Sequence, residues 1–406
     1  MFRGFEDAGV RWCFLRVPAD LGAPAGDIDL LIGDADVGRA REVVRALGFV
    51  PVPRPGMSLH YLQYDSPTAQ WLWIHMVTEM NFGPYEALRT GAEAGCLARR
   101  RWEGLVAVLA PDDAFWALLL HSIVDKGHIP PRHQTRLQEL VGAARADGAL
   151  ARMVAGVCPP GWTPEHLMEC VGRGAWTTLE EVGPPLTVAW LRHHSIGRWG
   201  LLSRRVAWAA ARLRSQPRGR GISVALLGPD GAGKTTLATA IERSFVFPVR
   251  LVYMGLTGGQ LPRVARLRLP GLVMLGRLCV FWARYLRAQY HQARGRLVVF
   301  DRYLYDAAVP TPTPLSWLGR LSRWVDGHAC PGPDLVLLLD APGAVMHARK
   351  GEYTPEMLEG WRQRFLALRR RVRQLEVVDA TRAQSEVHAD VIDRIWRRYA
   401  ARWGGR

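Results

Sequence analysis

The run Gly228-Pro-Asp-Gly-Ala-Gly-Lys-Thr-Thr236 carries the spacing G-x-x-x-x-G-K-T, between the apolar stretch Ile222–Leu227 and a helical pattern from Leu237. Glycines at 228, 231 and 233 let successive backbone N–H groups turn inward without a Cβ clash, which makes an anion nest at a helix N-terminus. Lys234 is then placed for the β- and γ-phosphates of ATP, and the Thr235 hydroxyl for Mg²⁺. Asp230, Ala232 and Thr236 complete the segment expected to line the nucleotide phosphates. A chance glycine-rich turn is the bland alternative, and the flanking strand and helix patterns weigh against it.

Two further carboxylates end apolar runs. Leu297-Val-Val-Phe300 leads into Asp301-Arg302-Tyr303, and Leu335–Leu339 into Asp340. In open parallel sheets ligand groups gather at the carboxyl ends of strands. Asp301 there can hold a Mg²⁺-bound water or orient an acceptor, and Arg302 can neutralise phosphate charge. The competing reading is a surface ion pair. Beyond Asp340, the pair Arg349-Lys350 can close over phosphates as a lid, or form one solvated basic face. Asp379 ends another apolar run, and the loop after it is expected beneath the adenine.

The charge pattern narrows the choice of partners. The net charge is +16, yet among 53 basic residues only Lys126, Lys234 and Lys350 are lysines. The bias suggests mutational pressure toward arginine wherever the two are interchangeable, so the survivors are candidates for positions that need a compact ammonium, the alternative being leftovers of drift. The excess suits a small phosphorylated or hydroxyl-bearing ligand; a nucleic-acid groove has charge in its favour but no recognition motif.

These groups need elements to position them. At 406 residues, with 49% apolar and 22% charged side chains, the chain is globular and too long for one ordinary core. Residues 1–110 mix short apolar runs, such as Asp29–Ile32 and Trp71–Met76, with an amphipathic helix near Val37–Leu47, an α/β pattern. Residues 111–214 are mainly helical: Asp112 or Asp113 is expected to cap a helix through His121, Thr135 one that runs to about Ala146, and Arg198–Leu213 is basic and amphipathic. A linker is expected over 215–221, and strand and helix signals alternate over 222–406, the mark of a doubly wound parallel sheet. The cysteines are scattered without C-x-x-C pairs, no signal peptide pattern opens the chain, and the apolar window Leu269–Ala283 is cut by Arg277. A cytoplasmic protein with reduced thiols and no membrane partner is expected.

The segments LLGPDGAGKTTL, VVFDRYLYD, PDLVLLLDAPGAVMHARKGE and VVDATRAQSEV occur in the order found in the thymidylate kinase branch of P-loop kinases, which the chain resembles over roughly Gly221 to Arg402. The resemblance implies a nucleoside monophosphate kinase-like fold and ATP-dependent phosphoryl transfer to a small acceptor. It also implies that Asp301 and Arg302 face the acceptor and that the Arg349 region is the lid. After its Asp-Arg-Tyr, that family continues with a small polar residue and an Ala-Tyr-Gln stretch; here the chain reads Leu304-Tyr-Asp-Ala-Ala-Val-Pro310. Thymidylate as acceptor does not follow.

In the N-terminal part, Ala25-Gly-Asp-Ile-Asp29 sets Asp27 and Asp29 at i and i+2, on one face of a strand and close enough to share a divalent metal. Exposed turn acids are the alternative. The stretch resembles the G-x-D-x-D signature of nucleotidyltransferases, with Ala40–Phe49 similar to the helix and Gly-Phe turn that follow it. That family adds a third carboxylate on a later strand; the matching stretch, Trp71-Leu-Trp-Ile-His75, has Trp73 in its place. Leu118–His128 is like the helical companion of such domains, which sets His121 and Lys126 beside a cleft. Three functions remain open: a small-molecule kinase with a degenerate nucleotidyltransferase-like domain, a bifunctional enzyme that also transfers a nucleotidyl group through Asp27 and Asp29, and an ATP-binding regulatory or nucleic-acid-associated module.

Overall fold

A computed structural model describes residues 1–18, 27–52, 58–194, 196–215, 221–255, 270–309 and 316–403. Gly26, Leu269, Pro310 and most of the expected linker, residues 216–220, lie outside the described residues. The chain divides into two compact units, Met1–Gln63 with Leu72–Ser215, and Tyr64–Trp71 with Gln216–Arg406. The fold class is mixed α/β, one sheet being parallel throughout.

β1 (Trp12–Phe14), β2 (Asp27–Ile32), β3 (Val50–Val52), β4 (Leu59–Asp65), β5 (Gln70–Val77), β8 (Arg101–Glu103) and β9 (Val106–Val108) form one mixed sheet in the order β3-β4-β5-β2-β1-β9-β8. The short strands β6 (Asn81–Phe82) and β7 (Leu88–Arg89) pair separately. β2 is central and buried from Ile28 to Ile32, with Asp29 the polar side chain inside that stretch, and it runs parallel to β5 with Asp27 opposite Trp73 and Asp29 opposite His75. The helices that follow share this sheet's core: one continuous apolar cluster extends from Phe5 to Leu191.

Two expected helix starts are corrected. The helix after Ala110 is Pro111–Leu120, extended by a wide turn His121–Lys126, and neither aspartate caps it. Asp113 is fully buried against Arg99, and Asp112 accepts from the Arg145 backbone N–H. The next helix is Pro131–Val141, so Thr135 lies inside it, its hydroxyl donating to the Pro131 carbonyl. In both helices proline occupies the first turn, where its fixed φ suits entry and its missing N–H costs nothing.

The second unit is built on β10 (Ile222–Leu227), β11 (Val249–Tyr253), β12 (Leu297–Asp301), β13 (Leu335–Asp340) and β14 (Leu375–Asp379). They form a five-stranded sheet in the order β11-β12-β10-β13-β14, with every pairing parallel. The near-continuous apolar runs of β10, β12 and β13 are those of strands covered on both faces, whereas β11 and β14, at the sheet edges, carry the exposed Arg250 and Glu376. The Lys234–Ser244, Pro270–Ala293, Trp317–Gly327, Gly343–Lys350, Pro355–Ala367 and Gln384–Trp403 helices accompany them. Pro270–Ala293 buries Phe281 and Ala288 in the core. No helix among the described residues is long and apolar enough to cross a membrane.

Candidate functional site

The carboxyl end of β10 opens into the loop Gly228–Gly233, which feeds the Lys234–Ser244 helix. Gly231 has φ +85°, and a Cβ there would lie 2.5 Å from the Met346 carbonyl oxygen, so the loop passes that backbone only because residue 231 has no side chain. Gly233, with φ +95°, turns the chain into the helix. Lys234 is buried, and its Nζ donates to the Gly228 and Pro229 carbonyls, each at 2.8 Å. Burial lowers its pKa, the Arg302 charge lowers it further, and Asp230, Asp306 and Asp301 act in the opposite direction.

β12 is hydrogen-bonded beside β10, so Asp301 comes up against this helix start: Thr235 Oγ1 donates to Asp301 Oδ2 at 3.3 Å. A hydroxyl and a carboxylate so paired fit one face of a Mg²⁺ ion, which takes few protein ligands and keeps waters and phosphate oxygens for the rest. Next to Asp301, Arg302 has φ +65°, a left-handed conformation that carries strain in a non-glycine residue. The turn aims its guanidinium back at the loop, with Nη2 2.6 Å from Asp230 Oδ1 and Nη1 3.8 Å from Asp306 Oδ2. Asp306 sits on the short turn Leu304–Ala308. Burial pushes its carboxyl up to about 6, against the pull of Arg302 and Lys234.

Asp230, Lys234, Thr235, Asp301 and Arg302 line a cavity of about 590 Å³ with Tyr253, Arg349, Lys350 and Arg382, and Asp306 stands behind Arg302. Arg349 Nη2 donates to the Ala380 carbonyl at 2.8 Å, which ties the Gly343–Lys350 helix to the loop after β14. Lys350 is exposed and pairs with Glu352 at 3.0 Å, an interaction that raises its pKa. The cavity therefore gathers Asp230, Gly231, Ala232, Gly233, Lys234, Thr235, Thr236, Asp301, Arg302, Arg349 and Lys350. Asp340 is not among its lining residues; both its oxygens are held by Arg362, at 2.6 and 2.9 Å. Asp379 instead shapes its loop, accepting from the Thr381 backbone and hydroxyl. Tyr253, Asp306 and Arg382 are site residues that sequence reasoning missed. Only the strand-end position of Tyr253 carried a signal, one shared by many core aromatics.

Asp27 and Asp29 belong to the other unit. Asp27 is exposed and Asp29 buried. Both Asp29 oxygens are engaged: Arg16 Nη2 donates to Oδ2 at 2.5 Å, and the His75 Nδ1–H to Oδ1 at 2.8 Å. Burial would raise the Asp29 carboxyl, but the His75 hydrogen bond and the Arg16 charge together outweigh it and lower its pKa. Arg16 Nη1 also donates to His121 Nε2 at 2.6 Å. Since arginine is always a donor, that ring nitrogen accepts, and His121 Nδ1–H donates to Asp125 Oδ2 at 2.9 Å. His60 stacks on His75 with ring centroids 4.4 Å apart. Among the described residues no three His, Cys, Asp or Glu side chains converge as a metal-holding group. With Asp29 occupied and Trp73 opposite Asp27, this donor set does not fit the shared divalent metal of a nucleotidyltransferase.

No family model matches the chain, and no curated protein matches it.

Proposed function

We propose that this protein is an ATP-dependent, Mg²⁺-requiring phosphotransferase acting on a small acceptor, with its second unit arranged as a P-loop kinase of the thymidylate kinase-like kind. The observation that carries the reading is the 3.3 Å approach of Thr235 Oγ1 to Asp301 Oδ2 beside a glycine loop with Lys234 buried in it. The sheet order, with β10 between β12 and β13, supports it, because ligands bind outside the carboxyl ends of such strands. In this reading the loop N–H groups and Lys234 hold the nucleotide phosphates, and Thr235 and Asp301 hold the metal. When bound, Mg²⁺ supplies charge neutralisation across the β- and γ-phosphates. Arg302, braced by Asp230 and Asp306, meets charge on the acceptor side. Arg349, Lys350 and Arg382 present cations along the cavity wall, where charge developing on the transferred group is stabilised.

The test is the fate of the nucleotide. Purified full-length protein is incubated with ATP, Mg²⁺ and a panel of nucleotides, nucleosides and sugar phosphates, with mass spectrometry reading each acceptor. ADP formed together with an acceptor heavier by one phosphoryl group is the expected result. Pyrophosphate release would replace this reading with nucleotidyl transfer, and turnover without any phosphorylated acceptor would reduce it to an ATPase.

A further inference from the structure

The polar cluster of the first unit is not used by the proposed reaction, and its composition points away from the metal chemistry that its two aspartates suggest. Where a metal shared by Asp27 and Asp29 would draw on Asp29, that carboxylate already binds the Arg16 guanidinium and the His75 ring. Arg16 is itself fixed from its other side by His121, and His121 by Asp125. Asp125 Oδ1 in turn accepts from the Gly83 backbone N–H at 2.6 Å. The cluster is thus a continuous chain of hydrogen bonds in which a guanidinium, and not a divalent ion, meets the Asp29 carboxylate.

Two cations beside this chain are left over. Lys126, at the end of the turn that carries His121, is half-buried, and Arg132 is exposed on the first turn of the Pro131–Val141 helix. Among the described residues neither side chain makes a hydrogen bond or an ion pair. Burial lowers the Lys126 pKa, and the nearby Arg132 and Arg16 charges lower it further, ahead of the opposing Asp125 and Asp29. Arg16 bonds His121, Lys126 ends the turn that carries His121, and the His121 ring lies 6.1 Å from the ring of His133, the residue after Arg132, so these cations gather around one histidine while Asp29 and Asp125 are already committed. Such an arrangement is stabilised by an anion, and a phosphate group takes up ammonium and guanidinium donors together. Lysine at 126, in a chain that otherwise uses arginine almost throughout, fits a contact that needs a point charge.

We infer that the first unit is a metal-free binding site for a phosphorylated small molecule, with Arg16 replacing the divalent ion and Lys126 and Arg132 supplying the free cationic contacts. Asp27, exposed two positions before Asp29 on the same strand, is left to accept from a hydroxyl of the same ligand. No bond is made or broken in this unit; it captures and holds.

The experiment uses the full chain carrying Lys234→Ala, so that the loop of the second unit contributes equally little in every arm. Inorganic pyrophosphate is titrated calorimetrically in EDTA, and Mn²⁺ is titrated separately with detection by electron paramagnetic resonance. Pyrophosphate is expected to bind without metal, and Lys126→Met or Arg132→Met to weaken it at least about tenfold, the loss of one charge-assisted contact. Asp27→Asn is expected to leave the number of bound Mn²⁺ ions unchanged. Because neither cationic side chain is hydrogen-bonded among the described residues, the variants should melt with the parent; if Lys126→Met fails to fold, Arg132→Met carries the test. Binding that appears only with metal, affinity indifferent to both substitutions, or a Mn²⁺ ion lost in Asp27→Asn would each overturn the inference.

Discussion

Thr235 and Asp301 are 66 positions apart in the chain, and their side chains meet at 3.3 Å. The meeting is produced by register: Leu226 of β10 lies opposite Asp301 of β12, so the strand that launches the loop and the strand that ends in the carboxylate finish at one level. Each residue is ordinary on its own, and together they present a hydroxyl and a carboxylate to one point.

From this pairing, Asp301→Asn and Thr235→Val should each lower Mg²⁺-dependent ATP turnover by about a hundredfold, on the scale of losing one transition-state charge contact. Both side chains sit at the cavity, so melting temperatures should stay within a few degrees of the parent. Steady-state ADP release at several Mg²⁺ concentrations checks this, and a variant with parental turnover would remove the metal role from that residue.

The glycine loop gives a graded prediction. Gly231→Ala forces a Cβ to 2.5 Å from the Met346 carbonyl oxygen at φ +85°, whereas at Gly233 the Cβ meets nothing within 4 Å and only the φ of +95° is unfavourable. Gly231→Ala should therefore cost more, about 2 kcal/mol or above against about 1 for Gly233→Ala. Urea unfolding at equal protein concentration separates them, and equal midpoints would mean that the loop shifts freely away from Met346.

Arg302 separates charge from backbone. Its φ of +65° is costly for alanine and free for glycine. Arg302→Gly and Arg302→Ala remove the same guanidinium and should lose turnover alike, yet the alanine variant should be less stable by about 1 kcal/mol. If the two melt together, the left-handed turn relaxes once the bridge to Asp230 and Asp306 is gone.

Asp306 sets a pH dependence. Its carboxyl is raised from 3.8 to about 6, so between those values the folded chain holds a proton that the unfolded chain has lost. This contribution is fully present below about pH 4 and is lost as pH rises through 6. Asp306→Asn removes it, and the variant should gain on the parent by about 1 to 2 kcal/mol between pH 4 and pH 7. Chemical denaturation at a series of pH values tests the sign; parallel stability curves would contradict it.

The second unit was legible because its strands are short apolar runs with abrupt polar ends. Ile222–Leu227 has the bounds its pattern suggests, and Leu297–Asp301 and Leu335–Asp340 each gain only the terminal carboxylate. The glycine spacing likewise identified the loop around Lys234. Partnership was not legible. Asp301 and Asp340 look alike as strand-ending acids, yet one faces Thr235 and the other is clamped by Arg362, a residue of the Pro355–Ala367 helix. Asp112 and Asp113 carry a cap signature, but the pull of Arg99 and of the Arg145 backbone decides their places. Long-range ion pairs of this kind leave no local periodicity to read.

The three lysines hold one more consequence, in their reactivity toward acylating reagents. Only the neutral amine attacks, so a depressed pKa speeds the reaction and a raised one slows it, provided the nitrogen can be reached. Lys126 has the lowered pKa and partial exposure, while Lys350 is open to solvent but holds its proton against Glu352. Lys234 has a lowered pKa but is only 7% exposed, with its nitrogen tied to two carbonyls. Limited acetylation of the native chain should therefore mark Lys126 first and Lys350 second, sparing Lys234 until the loop opens. With so few amines, intact-mass shifts and one digest would reveal the order, and the lag before Lys234 is marked would time the opening of the loop.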